Sequence, residues 1–187
     1  MIPRQQLIVI GGSSGSLDAL LVIFPLLKKD FSIPMVLVLH RGNNADNGLA
    51  ELLATKTKLL VKEADEKEPI LPGWLYLAPP DYHLLIEEDG TLSLDASEKV
   101  NFCRPSIDVT FASAAAACKD KLTAILLSGA NADGAQAMKM VKECGGKNII
   151  QDPAEALVGY MPEQAILLQE ADYILPQKKI RELLLTL

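Results

Sequence analysis

Four short stretches of the chain are largely apolar without alternation: Leu7–Ile10, Met35–Leu39, Thr123–Leu127 and Lys147–Ile150. Strands of this kind are buried on both faces, as in a parallel sheet covered by helices on either side. Between them, apolar residues recur at helical spacing. Ser16–Leu27 carries them at 17, 20, 21, 24 and 27 and stops at Lys28–Asp30. Ser106–Cys118 is alanine-rich, with Pro105 in front, Ser106 at the N-cap position and Asp108 in the first turn. Ala135–Cys144 ends at Gly145-Gly146, a helix stop. Pro162–Gln169 and Lys178–Leu187 supply two more helices. Strand and helix in alternation predict an α/β fold: a doubly wound, mostly parallel sheet, right-handed crossovers and helices on both faces.

Residues 59–94 break this rhythm. They are strand-like and rich in turns, and Asp89-Gly90 stands between HLLIEE and TLSLDA as a hairpin signal. The expectation is an antiparallel hairpin at one edge of the sheet. No repeat, low-complexity tract or linker divides the chain, so residues 1–187 are expected to form a single domain.

Composition narrows the function classes. Hydrophobic residues make up 49% of the chain, charged residues 22% and aromatic residues 5%, a globular balance rich in small aliphatics. The net charge of −6 and the lack of a basic stripe argue against nucleic acid as a partner. Cys103, Cys118 and Cys144 are widely spaced and odd in number, which fits neither a metal site nor a disulfide framework and suits a reducing, cytoplasmic compartment. The opening residues MIPRQ have no signal-peptide pattern, and no apolar run reaches roughly 18 residues, so direct membrane insertion is not expected.

In open α/β sheets, ligands bind beyond the carboxyl ends of the strands. The first strand exits there through Gly11-Gly12-Ser13-Ser14-Gly15, the second at His40, and the strand at 123–127 into Gly129-Ala130-Asn131-Ala132-Asp133-Gly134. Gly11–Gly15 fits the G-x-S-x-G elbow that lifts a serine hydroxyl clear of the backbone. It equally fits a small-residue turn or a phosphate cradle at a helix N-terminus. His40 by itself reads as a base or as a satisfied histidine at a strand end, and Asp133 as an orienting acid or as a helix cap. Together the three supply a nucleophile, a base and an orienter at one rim. Their order along the chain is Ser, His, Asp, whereas an α/β-hydrolase runs Ser, Asp, His.

The segments IGGSSGS, LPGWLYLAPPDYHL, RPSIDVTFASAA, AILLSGANADGAQAM and ALVGYMPEQAI, with the strand ending in His40, resemble the catalytic domain of the chemotaxis protein-glutamate methylesterase CheB over nearly the whole chain. The resemblance implies hydrolysis of glutamate γ-methyl esters on chemoreceptor cytoplasmic helices, often with deamidation of glutamines. It places the nucleophile on Ser13, the base on His40 and the triad acid on Asp133. It also places Ser14 and Ala130 beside the oxyanion through their N–H groups. Arg104 would line the substrate groove, or else pair with Asp108; His83 would shape the wall. No cofactor or metal is implied. The family's receiver domain has no counterpart in these residues, so a separate receiver or regulatory domain is an expected partner. Four departures from the family pattern bear on substrate choice: Ser13-Ser14-Gly15-Ser16 for Ser-Thr-Gly-Gly, Ala130 for methionine, Phe102-Cys103 for Arg-His, and Tyr160 inserted into Gly-Met-Pro. The alternatives are a serine hydrolase of the same design acting on another ester or amide, and a non-catalytic phosphate-binding module.

Overall fold

The computed structural model of the chain describes residues 6–41, 48–168 and 171–187. Its centre is β1 (Leu7–Gly12), which pairs in parallel with β2 (Met35–Leu39) on one side and β7 (Leu122–Leu126) on the other. The sheet continues beyond β2 to β4 (Trp74–Leu77) and β3 (Leu60–Glu63), and beyond β7 to β8 (Lys147–Gln151) and β9 (Tyr173–Leu175). The strand order is β3-β4-β2-β1-β7-β8-β9, and every pairing is parallel. The chain leaves β1 toward β2 first and fills β7 only later, so the order reverses between β1 and β7. Crevices of that kind receive ligands.

Alternation along the central strand separates two cores. Leu7 and Val9 point to the face covered by α3 (Ile107–Cys118), α4 (Ala135–Glu143) and α5 (Tyr160–Leu168). Ile8 and Ile10 point to α1 (Ser16–Ile23), α2 (Gly48–Ala54) and α6 (Gln177–Leu184). Both faces are therefore fully covered, which is why the central strands read as continuous apolar runs.

The expected elements lie within a few residues of their sequence positions. The helix expected to reach Leu27 ends at Ile23 and continues as a single 3₁₀ turn, Phe24–Leu26, because Pro25 has no N–H to give the preceding turn. The helix expected at Pro162–Gln169 starts earlier, at Tyr160, with Pro162 in its first turn where no donor is needed; Gln169 lies outside the described residues. The Asp89-Gly90 hairpin forms between β5 (His83–Ile86) and β6 (Leu92–Asp95), antiparallel as expected. It makes a two-stranded sheet of its own against α3 and does not continue the edge of the main sheet. That edge is taken by β3 and β4, which are parallel strands.

The glycines of the β1 exit are set by close approach. A Cβ on Gly11 would lie 2.5 Å from Cγ2 of Ile107 and 3.0 Å from Cζ of Phe111, both fully buried on α3. A Cβ on Gly12 would meet Ser16 at 2.5 Å. Gly15 adopts φ +80°, the left-handed conformation that turns the strand into α1. Replacing Gly11 with alanine should overpack the β1–α3 contact and cost about 1–3 kcal/mol. Urea unfolding of Gly11→Ala should show a lower midpoint at unchanged slope; an unchanged midpoint would mean that α3 gives way without cost.

Candidate active site

The exit of β1 and the exit of β2 are neighbours by register. Gly12 is paired with Leu39, so Ser13 and His40 are the next residues on adjacent parallel strands, and the His40 N–H donates to the Gly12 carbonyl at 3.3 Å. The third exit, after β7, is tied to the first through main chain: the Ser13 N–H donates to the Ser128 carbonyl at 2.9 Å. Ser128 is fully buried, and its hydroxyl donates to the Ser14 carbonyl at 2.7 Å while accepting from the Val158 N–H at 2.9 Å. Its own N–H donates to Oε1 of Gln151 at 2.9 Å. One side chain thus joins the loops that follow β1, β7 and β8.

Asp133 is fully buried and meets the imidazole of His40, with Oδ2 2.8 Å from Nε2. A carboxylate only accepts, so Nε2 carries a proton and donates it to Asp133. Asp133 does cap a helix, though not the one it precedes. Gly134, at φ +92°, starts α4, while the Asp133 carboxylate lies at the N-terminus of α3. There Oδ2 accepts from the Ile107 N–H at 2.6 Å, and Oδ1 accepts from Ser106 Oγ at 2.8 Å and from the Asp108 N–H at 3.3 Å. Nδ2 of Asn101 adds a further bond to Oδ1 at 3.0 Å. Burial pushes the Asp133 carboxyl upward, but the bonds from His40, Asn101, Ile107 and Ser106 outweigh it and hold the group below the ordinary carboxylate range. Asp108 goes the other way. Burial and the Asp133 charge raise it, against bonds from the Ala137 N–H and Asn101.

The other expected residues fall around this pair. Ser13 is half-buried, its carbonyl accepts from Ser16 Oγ at 2.6 Å, and its hydroxyl makes no hydrogen bond to His40 or to any other group among the described residues. Ser14 and Ala130 are exposed, and neither N–H is taken up by a hydrogen bond among the described residues. Arg104 does not pair with Asp108. Its Nη1 donates to the carbonyls of Ala96 and Ser97 at 2.8 and 2.7 Å, and its Nε is buried without a partner. His83 is buried and structural: Nδ1 accepts from the Ser106 N–H at 3.1 Å and Nε2 donates to the Glu98 carbonyl at 3.0 Å, which fixes the start of α3.

Asn101 was not anticipated from the sequence, and Cys103 only as a departure from the family pattern. Asn101 bridges Asp133 and Asp108, donating also to Oδ2 of Asp108 at 2.9 Å. Cys103 Sγ lies 3.6 Å from Nδ1 of His40, donates to the Asn101 carbonyl at 3.3 Å and accepts from Nδ2 of Asn131 at 3.4 Å. Burial and the Asp133 charge push its thiol up, so it stays protonated at neutral pH. Both stand just before Arg104-Pro105-Ser106, a position whose proximity to the motif was the available signal. His40, Arg41, Lys99, Phe102, Cys103 and Arg104 border an open cavity of about 300 Å³. His40, Cys103 and Asp133 offer donor atoms within 4.8 Å of one another, but the Asp133 oxygens are already committed to five hydrogen bonds, which leaves little to offer a cation.

The arrangement is an ionised carboxylate orienting an imidazole next to a serine-bearing turn. Known proteins resemble the chain over nearly its whole length. The CheB methylesterase family model matches residues 8–184. A chain of Leptospira interrogans named "putative protein-glutamate methylesterase/protein-glutamine glutaminase" is 46% identical over 184 residues, 98% of this chain and 95% of that one. The protein-glutamate methylesterase/protein-glutamine glutaminase of Thermotoga maritima is 39% identical over 97% of this chain, which spans 54% of its length. The crystal structure of the Thermotoga maritima CheB methylesterase catalytic domain superposes with a TM-score of 0.92 at 38% identity, covering 97% of this chain and 98% of that one. The chain belongs to the CheB methylesterase family.

Proposed function

We propose that the chain is a serine hydrolase that removes methyl esters from glutamate side chains of chemoreceptors, and that the same acyl chemistry extends to deamidation of glutamine. The observation that carries this reading is the 2.8 Å bond between buried Asp133 and His40, at the rim where Ser13 follows β1. Ser13 is the nucleophile. Its hydroxyl proton passes to the unprotonated Nδ1 of His40 as Oγ attacks the γ-carbonyl carbon, and Asp133 stabilises the imidazolium that results. The tetrahedral oxyanion is held by the N–H groups of Ser14 and Ala130, each such donor typically worth about 3 kcal/mol. The positive end of α1 favours the same charge. Collapse of the intermediate breaks the C–O bond to methoxide, which takes its proton from Nδ1 and leaves as methanol. Water then attacks the glutamyl-serine ester with His40 again as base, releasing the carboxylate. With glutamine the leaving group is ammonia.

Arg104 borders the groove and adds positive charge for a receptor segment rich in glutamate. The substrate helices lie in the cytoplasm, and among the described residues no helix is long and apolar enough to cross a membrane. Residues 1–187 act as one catalytic unit.

Ser13→Ala should abolish methanol release from a methylated glutamyl peptide and labelling by a fluorophosphonate; turnover at the wild-type rate would remove Ser13 from the mechanism. Loss of labelling without methanol release from any glutamyl ester would point to another ester or amide, and absence of labelling in the wild type to a binding module. His40→Gln should lower kcat/KM by about 10²–10⁴; a loss below tenfold would assign the base elsewhere.

The depressed pKa of Asp133 makes a further prediction for stability. Its contribution is fully present above the unfolded carboxylate value of about 3.9 and is lost as pH falls through the lower folded value. The stability difference between wild type and Asp133→Asn, measured by urea unfolding, should therefore shrink below about pH 4. A difference that grows toward acid would mean that the folded-state pKa is raised.

A further inference from the structure

Residues 100–103 form a tight turn closed by two backbone bonds, from Val100 N–H to the Cys103 carbonyl at 3.2 Å and from Cys103 N–H to the Val100 carbonyl at 2.9 Å. Both central residues have positive φ, +50° at Asn101 and +62° at Phe102. Asparagine tolerates that conformation; for phenylalanine it is an outlier. The turn is clamped at both ends to the reacting pair. Asn101 donates inward to Asp133 and Asp108, and Cys103 lies against Nδ1 of His40. Phe102, between them, is directed outward and is 97% exposed. Strain held in place by catalytic groups marks a functional position.

On the reading given under Proposed function, we infer that Phe102 is a substrate-contacting specificity residue that selects helical segments carrying an apolar side chain one turn away from the scissile glutamyl group. A glutamyl ester reaching Ser13 and His40 must hang from a main chain that lies outside the cavity, and Phe102 borders the same cavity as His40. On a helix, the neighbours facing the same way are three or four residues distant. Across the nucleophile turn stands a second exposed apolar group, Leu157, which is 70% exposed and packs over Gly15. Lys99 and Arg104 border the cavity too, and the Arg104 guanidinium is held by carbonyls and not by a carboxylate. In a chain of net charge −6, this cationic rim suits an acidic helix. The occupant that fits is therefore an amphipathic, glutamate-bearing helix of the substrate protein.

The test uses two helix-stapled peptides with one central glutamate γ-methyl ester. One carries leucine at the positions three and four residues to either side, the other alanine. N-acetylglutamate γ-methyl ester serves as the small substrate. Wild type should prefer the leucine peptide by about tenfold in kcat/KM, expressed in KM, since ring burial stabilises ground and transition states alike. Phe102→Ser should bring the ratio close to one, Phe102→Leu should restore part of it, and Leu26→Ser, an exposed leucine far from the rim, should leave it intact. Equal use of both peptides by wild type, or a preference that survives Phe102→Ser, overturns the inference while methanol release preserves the functional reading. Concentration-dependent dimerisation abolished by Phe102→Ser, with the peptide ratio untouched, would assign the ring to a self-interface and also overturns it. If wild type hydrolyses none of the three esters, the functional reading fails and the inference with it.

Discussion

A carboxylate removed from water must be met by several donors or it takes up a proton, and most of the site can be understood as the donors that Asp133 collects. It sits after β7, but its oxygens are served by α3, by the turn before α3 and by the histidine after β2. The unpaired N–H groups at the start of α3 and the carboxylate satisfy one another, and the helix end gains the negative charge that its dipole favours. Ser106 has a double part, capping α3 by accepting from the Val109 N–H while donating to Asp133. His83 holds the Ser106 N–H from behind. The intact Arg-Pro-Ser-Ile-Asp stretch is thus a mount for the acid, although none of its residues was expected to touch His40.

That mount explains what the sequence made legible. The central strands declared themselves because both faces are buried, and α3 because proline, serine and aspartate stand at its start. The exits of β1, β2 and β7 could be aligned from topology alone, which brought Ser13, His40 and Asp133 to one rim. Less was legible where the signal is weak in physical terms. Strand β9 spans three half-exposed residues, and α2 has a single buried leucine. Strand β3 is an exposed edge whose parallel register depends on Trp74–Leu77 arriving beside β2. Asp133 read as a helix cap, and it is one; only the fold reveals that the helix is α3. Asn101 and Cys103 carried no periodicity, since a turn residue acts through where its backbone points.

Asp133 and His40 are tied to the start of α3, whereas Ser13 and Ser14 follow β1 and Ala130 shares the loop after β7 with Asp133. Ser128 links these loops. With its carbonyl on Ser13, its hydroxyl on Ser14 and its N–H on Gln151, it ties the exits of β1, β7 and β8 together. The small residues of the elbow serve the same end. Gly11 lets β1 approach Ile107, the residue whose N–H holds Asp133, so the distance from elbow to acid is set by van der Waals contact through α3.

In the mechanism proposed above, the direction of proton flow follows from the same constraints. Because Asp133 takes Nε2, the nitrogen that this mechanism uses as base is Nδ1, the one nearer its own main chain. Register sets Ser13 beside His40. Cys103 Sγ lies 3.6 Å from this nitrogen, a long contact, and gives its one S–H to the Asn101 carbonyl, so a hydroxyl arriving at ordinary hydrogen-bond distance meets little competition. The ring is oriented by Asp133, at 2.8 Å. A charged side chain at position 103 would shift the balance of the base itself, whereas a thiol kept protonated by burial and by the Asp133 charge does not.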